Sequence, residues 1–187
     1  NEVKTKLPDS RREIVTNGDV LNRKRLKKLF DAGLSTILIS VYDGAEDAKK
    51  FEQMCRDENL EDNQFVIRHR YYSEEKDFGL TISNRAGMMK NAEYNIAPLQ
   101  KTLNLKCFYP SYTFFMDYNG DVLMCPHDWG KKIILGNMNK DSFHAIWTSK
   151  KAIKIRQKLN NADRKFSPCN ICDVKGDLIG KKHAESW

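Results

Sequence analysis

The sequence of 187 residues has no hydrophobic run of the roughly 20 residues that a membrane-spanning helix needs. The first 15 residues are polar and contain no apolar segment of the kind found in secretory signal peptides. The sequence also has no internal repeat and no low-complexity tract. These absences exclude a membrane-spanning protein and favour a cytoplasmic globular protein. The chain begins with Asn1 rather than Met, which indicates a trimmed or partial sequence.

The composition shows only a moderate excess of positive charge. Lysine and arginine total 32 residues against 25 acidic residues, and the net charge is +7. Nucleic acid, an acidic peptide or an anionic cofactor would all be electrostatically compatible with this excess. The basic cluster from Arg23 to Lys28 is compatible with a nucleic-acid stripe, but such runs are more often the solvated face of a helix. We therefore do not expect nucleic acid as a partner.

The first half of the chain alternates between strand-like and helix-like patterns. The segments 14–16, 36–42 and 64–71 are β-branched or apolar and predict strands. The segments 21–32 and 46–58 carry apolar residues at helical spacing and predict helices between them. Strands that alternate with helices imply βαβ units and a parallel sheet.

The second half changes character near residue 105. The segments 112–117 and 121–124 flank Asn119-Gly120, which is a strong signal for a β-hairpin. A helix is predicted to begin at Asp141 or Ser142, and Ser149 is predicted to cap a continuation. The C-terminal half is therefore predicted to be a small α+β domain.

The five cysteines point to metal binding rather than to disulfides, because the number is odd and no export signal is present. Cys107 and Cys125 flank the predicted hairpin, and Cys169 and Cys172 form a C-x-x-C pair that can grip one metal centre. Cys55 lies at an apolar position of a predicted helix and is expected in the core.

Three interpretations of these cysteines stay open on spacing alone. Four thiolates suit a [4Fe–4S] cluster, and they also suit a structural zinc ion in tetrahedral geometry. Zinc ribbons usually pair two C-x-x-C knuckles, and this sequence has one. The third interpretation is a redox C-x-x-C pair with two incidental core cysteines.

An ordered series of short motifs runs through about residues 107 to 175. A first cysteine with a nearby proline is followed by a hairpin that leads to the second cysteine, then by a Gly-Asn pair, an Ile-Trp pair and a closing C-x-x-C. These motifs are Cys107 with Pro110, Asp117–Val122 with Cys125, Gly136-Asn137, Ile146-Trp147 and Cys169–Cys172.

This series resembles the SPASM domain of radical SAM enzymes. In that family the cysteines bind an auxiliary [4Fe–4S] cluster, so the resemblance favours iron–sulfur over zinc at Cys107, Cys125, Cys169 and Cys172. The larger members have seven cysteines and two auxiliary clusters, whereas this chain has enough for one.

The first half resembles the same superfamily, less specifically. Thr16-Asn17-Gly18 and the segment 39–44 look like the ends of two barrel strands, and residues 83–87 look like the Asn-Arg-Ala-Gly segment found before SPASM domains. The resemblance makes Asn17, Ser40 and Arg68 candidates to line the S-adenosylmethionine site. The alternative for each is structural: a turn residue, a strand cap and a surface strand residue.

The sequence departs from the superfamily at one decisive motif. It has no C-x₃-C-x₂-C, the motif that holds the radical-generating cluster. The predicted fold is an incomplete parallel (β/α) barrel over residues 1–105, followed by a SPASM-like iron–sulfur domain over residues 106–187.

The resemblance implies the auxiliary cluster portion of a radical SAM enzyme that acts on a peptide or small metabolite. As it stands, the chain is not expected to cleave S-adenosylmethionine alone. The alternative function is a Cys₄ zinc or iron–sulfur module that docks nucleic acid or a protein partner.

Overall fold

The computed structural model describes residues 2–71, 78, 82–92 and 94–176. The chain divides into two compact units, Asn1–Thr81 and Ile82–Trp187. No helix among the described residues is long and apolar enough to cross a membrane.

The first unit is built on a three-stranded parallel sheet in the order β1-β2-β3. A short helix, α1 (Glu2–Lys6), precedes β1 (Glu13–Thr16), and α2 (Arg23–Asp31) leads to β2 (Thr36–Val41). Helix α3 (Ala45–Asp57) then leads to β3 (Phe65–His69). The predicted α/β architecture with a parallel sheet is confirmed, whereas α1 falls in a segment whose polar sequence predicts no helix.

The core of this unit is apolar and lies between the sheet and the crossover helices. Its fully buried side chains come from β2, from the inner faces of α2 and α3, and from β3: Leu26, Ile37, Ile39, Val41, Ala48, Phe51, Cys55 and Phe65. Cys55 is 0% exposed, which confirms its predicted place in the core.

The second unit carries a small antiparallel sheet in the order β4-β5-β6. Helix α4 (Tyr109–Tyr112) precedes β4 (Phe115–Met116), β5 (Asp121–Leu123) and β6 (Ile134–Asn137). The β4–β5 connection is the predicted hairpin, in which Gly120 has a φ of +86° that suits glycine. Strand β6 contains the Gly-Asn pair, so this pair lies in a strand and not in a separate turn.

Two capped helices follow the sheet of the second unit. Ser142 caps α5 (Phe143–Trp147) by accepting a hydrogen bond from the backbone amide of Ala145. Ser149 caps α6 (Lys150–Asn160) by accepting from the amide of Ala152. Both serines therefore have the capping role that the sequence predicts, and a short 3-10 turn, Cys169–Ile171, follows α6.

The division between the compact units lies nearer the N terminus than the predicted boundary at residue 105. The segment from residue 82 onward belongs to the second unit because Asn84, which is 0% exposed, is bonded to the loop that carries the C-x-x-C pair. Hydrogen bonding between distant segments thus decides where the compact units meet along the chain.

Candidate metal centre

Four cysteines of the second unit line one buried cavity. Cys125, Cys169 and Cys172 are at most 9% exposed, and Cys107 is half-buried. All five cysteines of the chain are free thiols, and Cys55 lies in the other unit. The four cysteines that the spacing selected are therefore the ones that the fold brings together.

Three short segments position these four thiols. The backbone amide of Cys107 donates to the carbonyl of Leu159 at the end of α6, 3.0 Å away. Cys125 follows β5, and the preceding amide, that of Met124, donates to the carbonyl of Ile133 at 3.1 Å. The 3-10 turn holds Cys169 and Cys172 close together, and the backbone amide of Cys172 donates to the carbonyl of Cys169 at 3.4 Å. The hairpin, the segment bonded to the end of α6 and the 3-10 turn thus bring the four thiols to one cavity.

Burial and mutual proximity govern the electrostatics of the thiols. Burial, together with the charged forms of Cys107 and Cys172, raises the pKa of Cys125 to about 12. Burial also raises the pKa of Cys169, and the other three thiols add to the effect. Each thiolate thus destabilises its neighbours unless positive charge is placed among them, as an iron–sulfur centre does.

The arrangement of the thiols differs from that of a single-ion site. A Cys₄ zinc site places all four sulfur atoms about 2.3 Å from one ion. Within residues 2–71, 78, 82–92 and 94–176, no group of three or more His, Cys, Asp or Glu side chains is arranged to hold one metal ion. The cavity that the four thiols line has a volume of about 20 Å³. A donor set of four thiols on one cavity fits a cluster whose irons each take one thiolate.

A buried arginine ties together the two segments that enclose the site. Arg164 is 2% exposed and donates four hydrogen bonds to backbone carbonyls. The acceptors lie just before Cys107 and just after Cys172: Leu105, Lys106, Val174 and Lys175. Gly176 completes the enclosure, because a Cβ atom there would lie 2.6 Å from the sulfur of Cys107.

A buried asparagine fixes the C-x-x-C loop from the other side. The side-chain amide of Asn84 donates to the carbonyl of Ile171 at 2.7 Å and to that of Ala97 at 3.0 Å. Its backbone amide donates to the carboxylate of Asp173 at 2.8 Å. Since Asn84 has no exposed surface, these bonds replace all of its contact with water.

The two residues after the Cys125-Pro126 pair have different roles. Asp128 is 1% exposed, and its carboxylate accepts from the backbone amides of Lys132 and Ile133 at 3.0 and 2.8 Å. It therefore shapes the loop between β5 and β6. His127 lines the cysteine cavity, and its ring packs edge-on against Tyr109.

A polar group lies next to the cysteine cavity. The Nδ1 atom of His127 is 3.3 Å from the hydroxyl of Ser83 and 3.5 Å from the guanidinium of Arg85. Burial and the charge of Arg85 lower the pKa of His127, so its ring is neutral at neutral pH. The Nε of Arg85 and the Oδ1 of Asp173 are buried and find no hydrogen-bond partner among the described residues.

Residues 107–173 match the model of the SPASM family, an iron–sulfur cluster-binding domain. Residues 107–173 form a SPASM domain. The match begins at the first cysteine of the cavity and ends just after the last, so the four thiols lie within the part of the chain that defines the domain.

The chain is also similar to an S-adenosyl-L-methionine-dependent 2-deoxy-scyllo-inosamine dehydrogenase of Niallia circulans. The two are 29% identical over 168 residues, which cover 89% of this chain and 62% of the relative. The chain therefore spans less than two thirds of the length of this curated relative.

Two crystal structures share the fold. BtrN in complex with AdoMet and 2-DOIA has a TM-score of 0.74 and 25% identity, with 97% of this chain and 68% of that chain covered. Selenomethionine BtrN in an open conformation has a TM-score of 0.62 and 21% identity, with coverages of 99% and 66%. The predicted resemblance to radical SAM/SPASM proteins, with iron–sulfur and S-adenosylmethionine as cofactors of the family, is confirmed.

The candidates for the S-adenosylmethionine site lie outside the SPASM domain, at the ends of the parallel strands. Ser40 and Arg68 are partners in the β2–β3 register, and Asn17 directly follows β1. Asn17 lines a cavity of about 390 Å³, whose lining includes neither Ser40 nor Arg68. Its side chain also bonds with Asp19, as a turn residue does. Their role in binding a cofactor stays a prediction.

The basic cluster on α2, also outside the SPASM domain, is partly paired within the protein. Arg23 bonds to Asp57, Arg25 donates to the carbonyl of Val20, and Lys27 lies 3.4 Å from Asp31. Such pairing is typical of a solvated helix face and supports the preference against a nucleic-acid stripe.

Sequence reasoning missed three residues that enclose the cysteines of the SPASM domain: Asn84, Arg164 and Gly176. Asn84 lies in the Asn-Arg-Ala-Gly segment, which was a usable signal because that segment often precedes this domain. Arg164 stands between Asp163 and Lys165 and looks like a surface residue. Gly176 carries no pattern that separates it from an ordinary turn glycine.

Proposed function

We propose that this chain is the auxiliary [4Fe–4S]-binding portion of a radical SAM/SPASM enzyme, with Cys107, Cys125, Cys169 and Cys172 as the cluster ligands. The observation that carries the proposal is the convergence of these four thiols on one buried cavity within the SPASM domain. Cys55, the remaining thiol, is buried in the apolar core of the other unit.

A cluster explains the site better than a zinc ion does. The four thiols line one cavity, and the family model that matches this segment is that of an iron–sulfur cluster-binding domain. The bound cluster would supply an electron-transfer centre, and its four thiolates would leave no iron free for substrate. The protein around it excludes water, since three of the four cysteines are buried.

The parallel sheet of the first unit is, in this proposal, part of a (β/α) barrel of the radical SAM type. Similarity to BtrN over 97% of the chain supports that assignment. Asn17, Ser40 and Arg68 lie at the carboxyl ends of their strands, where barrel enzymes place their sites. We assign them to the S-adenosylmethionine pocket of the complete enzyme.

We infer that the substrate is a small polar metabolite rather than a peptide. The relative from Niallia circulans is a dehydrogenase of 2-deoxy-scyllo-inosamine, and BtrN was crystallised with 2-DOIA. In this chain the unpartnered polar atoms of Arg85 and Asp173, beside the neutral ring of His127, suit a ligand with several hydroxyl or amine groups. The reaction that we propose for the complete enzyme is therefore oxidation of an alcohol to a ketone, with S-adenosylmethionine as the oxidant, which is converted into 5′-deoxyadenosine and methionine.

We place the protein in the cytoplasm. All five cysteines are free, and an iron–sulfur centre needs reduced thiols for assembly. Cell fractionation with an antibody against this chain tests the assignment, which a periplasmic or secreted pool would overturn.

The cluster assignment is tested by anaerobic reconstitution. The wild-type chain should be brown and carry roughly four irons, because four thiolates match one [4Fe–4S] cluster. Replacement of any one of Cys107, Cys125, Cys169 or Cys172 by Ala should reduce the iron content, whereas Cys55→Ala should retain it. A colourless protein with one zinc ion would instead support the binding-module alternative.

The catalytic assignment is tested by cleavage of S-adenosylmethionine. The chain lacks C-x₃-C-x₂-C and therefore lacks an iron that is free to chelate the cofactor. With its cluster reduced by dithionite, it should yield no 5′-deoxyadenosine, whereas a longer chain with the upstream barrel strands should yield it. Activity of the short chain would mean that its cluster has an open iron. Inactivity of both, with salt-sensitive binding of nucleic acid, would favour the binding module.

A further inference from the structure

The buried side chain of Arg164 uses all three of its nitrogen atoms as hydrogen-bond donors. Its Nε donates to the carbonyl of Leu105 at 2.7 Å, and its Nη1 donates to that of Val174 at 2.6 Å. Its Nη2 donates to two carbonyls, those of Lys106 at 2.8 Å and Lys175 at 2.6 Å. One planar side chain thus joins two segments that are about 70 residues apart in the sequence, as only the fork of an arginine can do.

The positive charge of Arg164 has no carboxylate partner in the described part of the chain. The ion pairs found there involve other residues. Carbonyl oxygens satisfy its donors but do not neutralise its charge. A buried cation is costly unless it is paired with negative charge, so the structure contains an uncompensated positive charge at this place.

The thiols are the groups that this charge faces. Arg164 lines the same cavity as the four cysteines. A Cβ atom on Gly176 would lie 2.6 Å from the sulfur of Cys107 and 2.8 Å from the Nη2 of Arg164, so both atoms adjoin one point.

We propose that Arg164 is a positioning residue of the cluster site with two effects: its fork holds the Cys107 and Cys172 segments together, and its charge raises the reduction potential of the bound cluster. This inference rests on the proposed ligation of a cluster by the four cysteines. A cluster with four thiolate ligands carries net negative charge, and reduction adds one more electron. A fixed cation beside it stabilises the reduced form, which raises the potential.

Two variants of Arg164 distinguish the effect of its charge from the effect of its hydrogen-bonding fork. Arg164→Gln removes the charge and most of the donors, whereas Arg164→Lys keeps the charge but replaces the planar fork by a point charge. Arg156→Gln is the matched control, because Arg156 is also a partly buried arginine of this unit. It stacks on Trp147 and donates to its carbonyl, away from the cysteine cavity.

Two measurements are made on the anaerobically reconstituted chain: the rate of iron release to a chelator, and the midpoint potential from a dithionite titration followed by electron paramagnetic resonance. Arg164→Gln should release iron about tenfold faster than wild type, as loss of an outer-shell partner does, and should have a lower potential. Arg164→Lys should also release iron faster but should keep a potential close to that of wild type. The control should match wild type in both.

Each outcome decides the inference. A wild-type potential in Arg164→Gln overturns the charge effect, and unchanged iron release in both variants overturns the clamp. If Arg164→Gln holds no cluster, the potential of Arg164→Lys decides the charge effect, since a fall to a lower value would contradict it. A wild-type chain that binds no iron overturns the proposed function, and the inference falls with it, whereas the other contrary outcomes leave the proposed function intact.

Discussion

The two units of the chain have cores of different chemistry. The core cluster of the first unit has eight apolar residues from helices and strands, with Cys55 acting as a small hydrophobe, and the buried polar residues Thr36 and Ser40 lie on the same sheet. The core cluster of the second unit is smaller, and two of its five buried members are cysteines, Cys125 and Cys169. The second unit also buries Asn84, Asp128 and Arg164, each bonded to backbone groups.

This difference shows how each unit obtains its stability. Regular strands and helices satisfy most of their own backbone groups, so the first unit relies mainly on apolar burial. The second unit has short elements and long irregular connections, so buried side chains must satisfy the loop backbone in their place. A centre that crosslinks four separate positions adds the stability that a small apolar core does not supply.

The largest expected effect on the difference between the two units comes from removal of the proposed cluster. Cys125→Ala should lower the free energy of unfolding of the second unit by about 4 kcal/mol or more, the scale of a lost metal site. Amide hydrogen exchange should quicken throughout residues 82–176 and stay unchanged in β1, β2 and β3. The control Cys55→Ala should instead lower the free energy of unfolding of the first unit by about 1 kcal/mol and leave the iron content unchanged. Equal protection of the second unit with and without iron would contradict the comparison.

A smaller effect is expected from the buried asparagine. Asn84→Ala removes the buried amide that donates to the carbonyls of Ala97 and Ile171, and leaves only the backbone amide of Leu99 on the carbonyl of Ile171. We expect a loss of about 3 kcal/mol from the free energy of unfolding of the second unit, measured by chemical denaturation.

The comparison variant is Asn22→Ala, which removes a helix cap in the first unit. It should cost only about 1 kcal/mol, because its partners can bond to water. Similar losses in the two variants would mean that the carbonyls around Asn84 also find water.

Two glycines with positive φ provide a matched pair. Gly176 has a φ of +79°, and an added Cβ would meet the sulfur and Cα of Cys107 at 2.6 and 2.9 Å. Gly44 has a φ of +127°, and its Cβ would meet nothing within 4 Å. Both changes to Ala strain the backbone by about 1 kcal/mol, but only Gly176→Ala should also reduce the iron content after reconstitution. Full iron content in Gly176→Ala would show that Cys107 can move freely.

The smallest effect concerns alkaline pH and the first unit. Burial raises the pKa of Cys55 from 9.0 to about 11, so the folded state favours the neutral thiol. This stability is fully present below pH 9 and is lost as the pH rises towards 11, since the unfolded chain ionises first. Between pH 8 and pH 10 the wild type should lose about 1 kcal/mol more than Cys55→Ala, in thermal unfolding monitored by circular dichroism. Parallel pH profiles would contradict the burial of this thiol.

The sequence also predicts the elements of the first unit better than those of the second unit. The parallel strands and their helices were predicted to within about two residues, because burial on one or two faces leaves a regular apolar pattern. Strand β6 and helix α4 were not predicted, since each has only four residues and, unlike the equally short β1, neither carries a continuous β-branched run. The four cysteines were predicted as a set because thiols at such spacing have few alternative uses, and the family match places them inside one SPASM domain.

The sequence by itself therefore determined the class of fold and the set of candidate donor atoms, since residue type and spacing encode these directly, whereas the preference for an iron–sulfur centre came from the family resemblance. Only the tertiary structure decided that Arg164, between two charged neighbours, is buried beside the thiols, and that Gly176 lies against Cys107. The physical reason is that burial of a polar side chain depends on distant carbonyls that replace water around it. No local pattern records where those carbonyls will be.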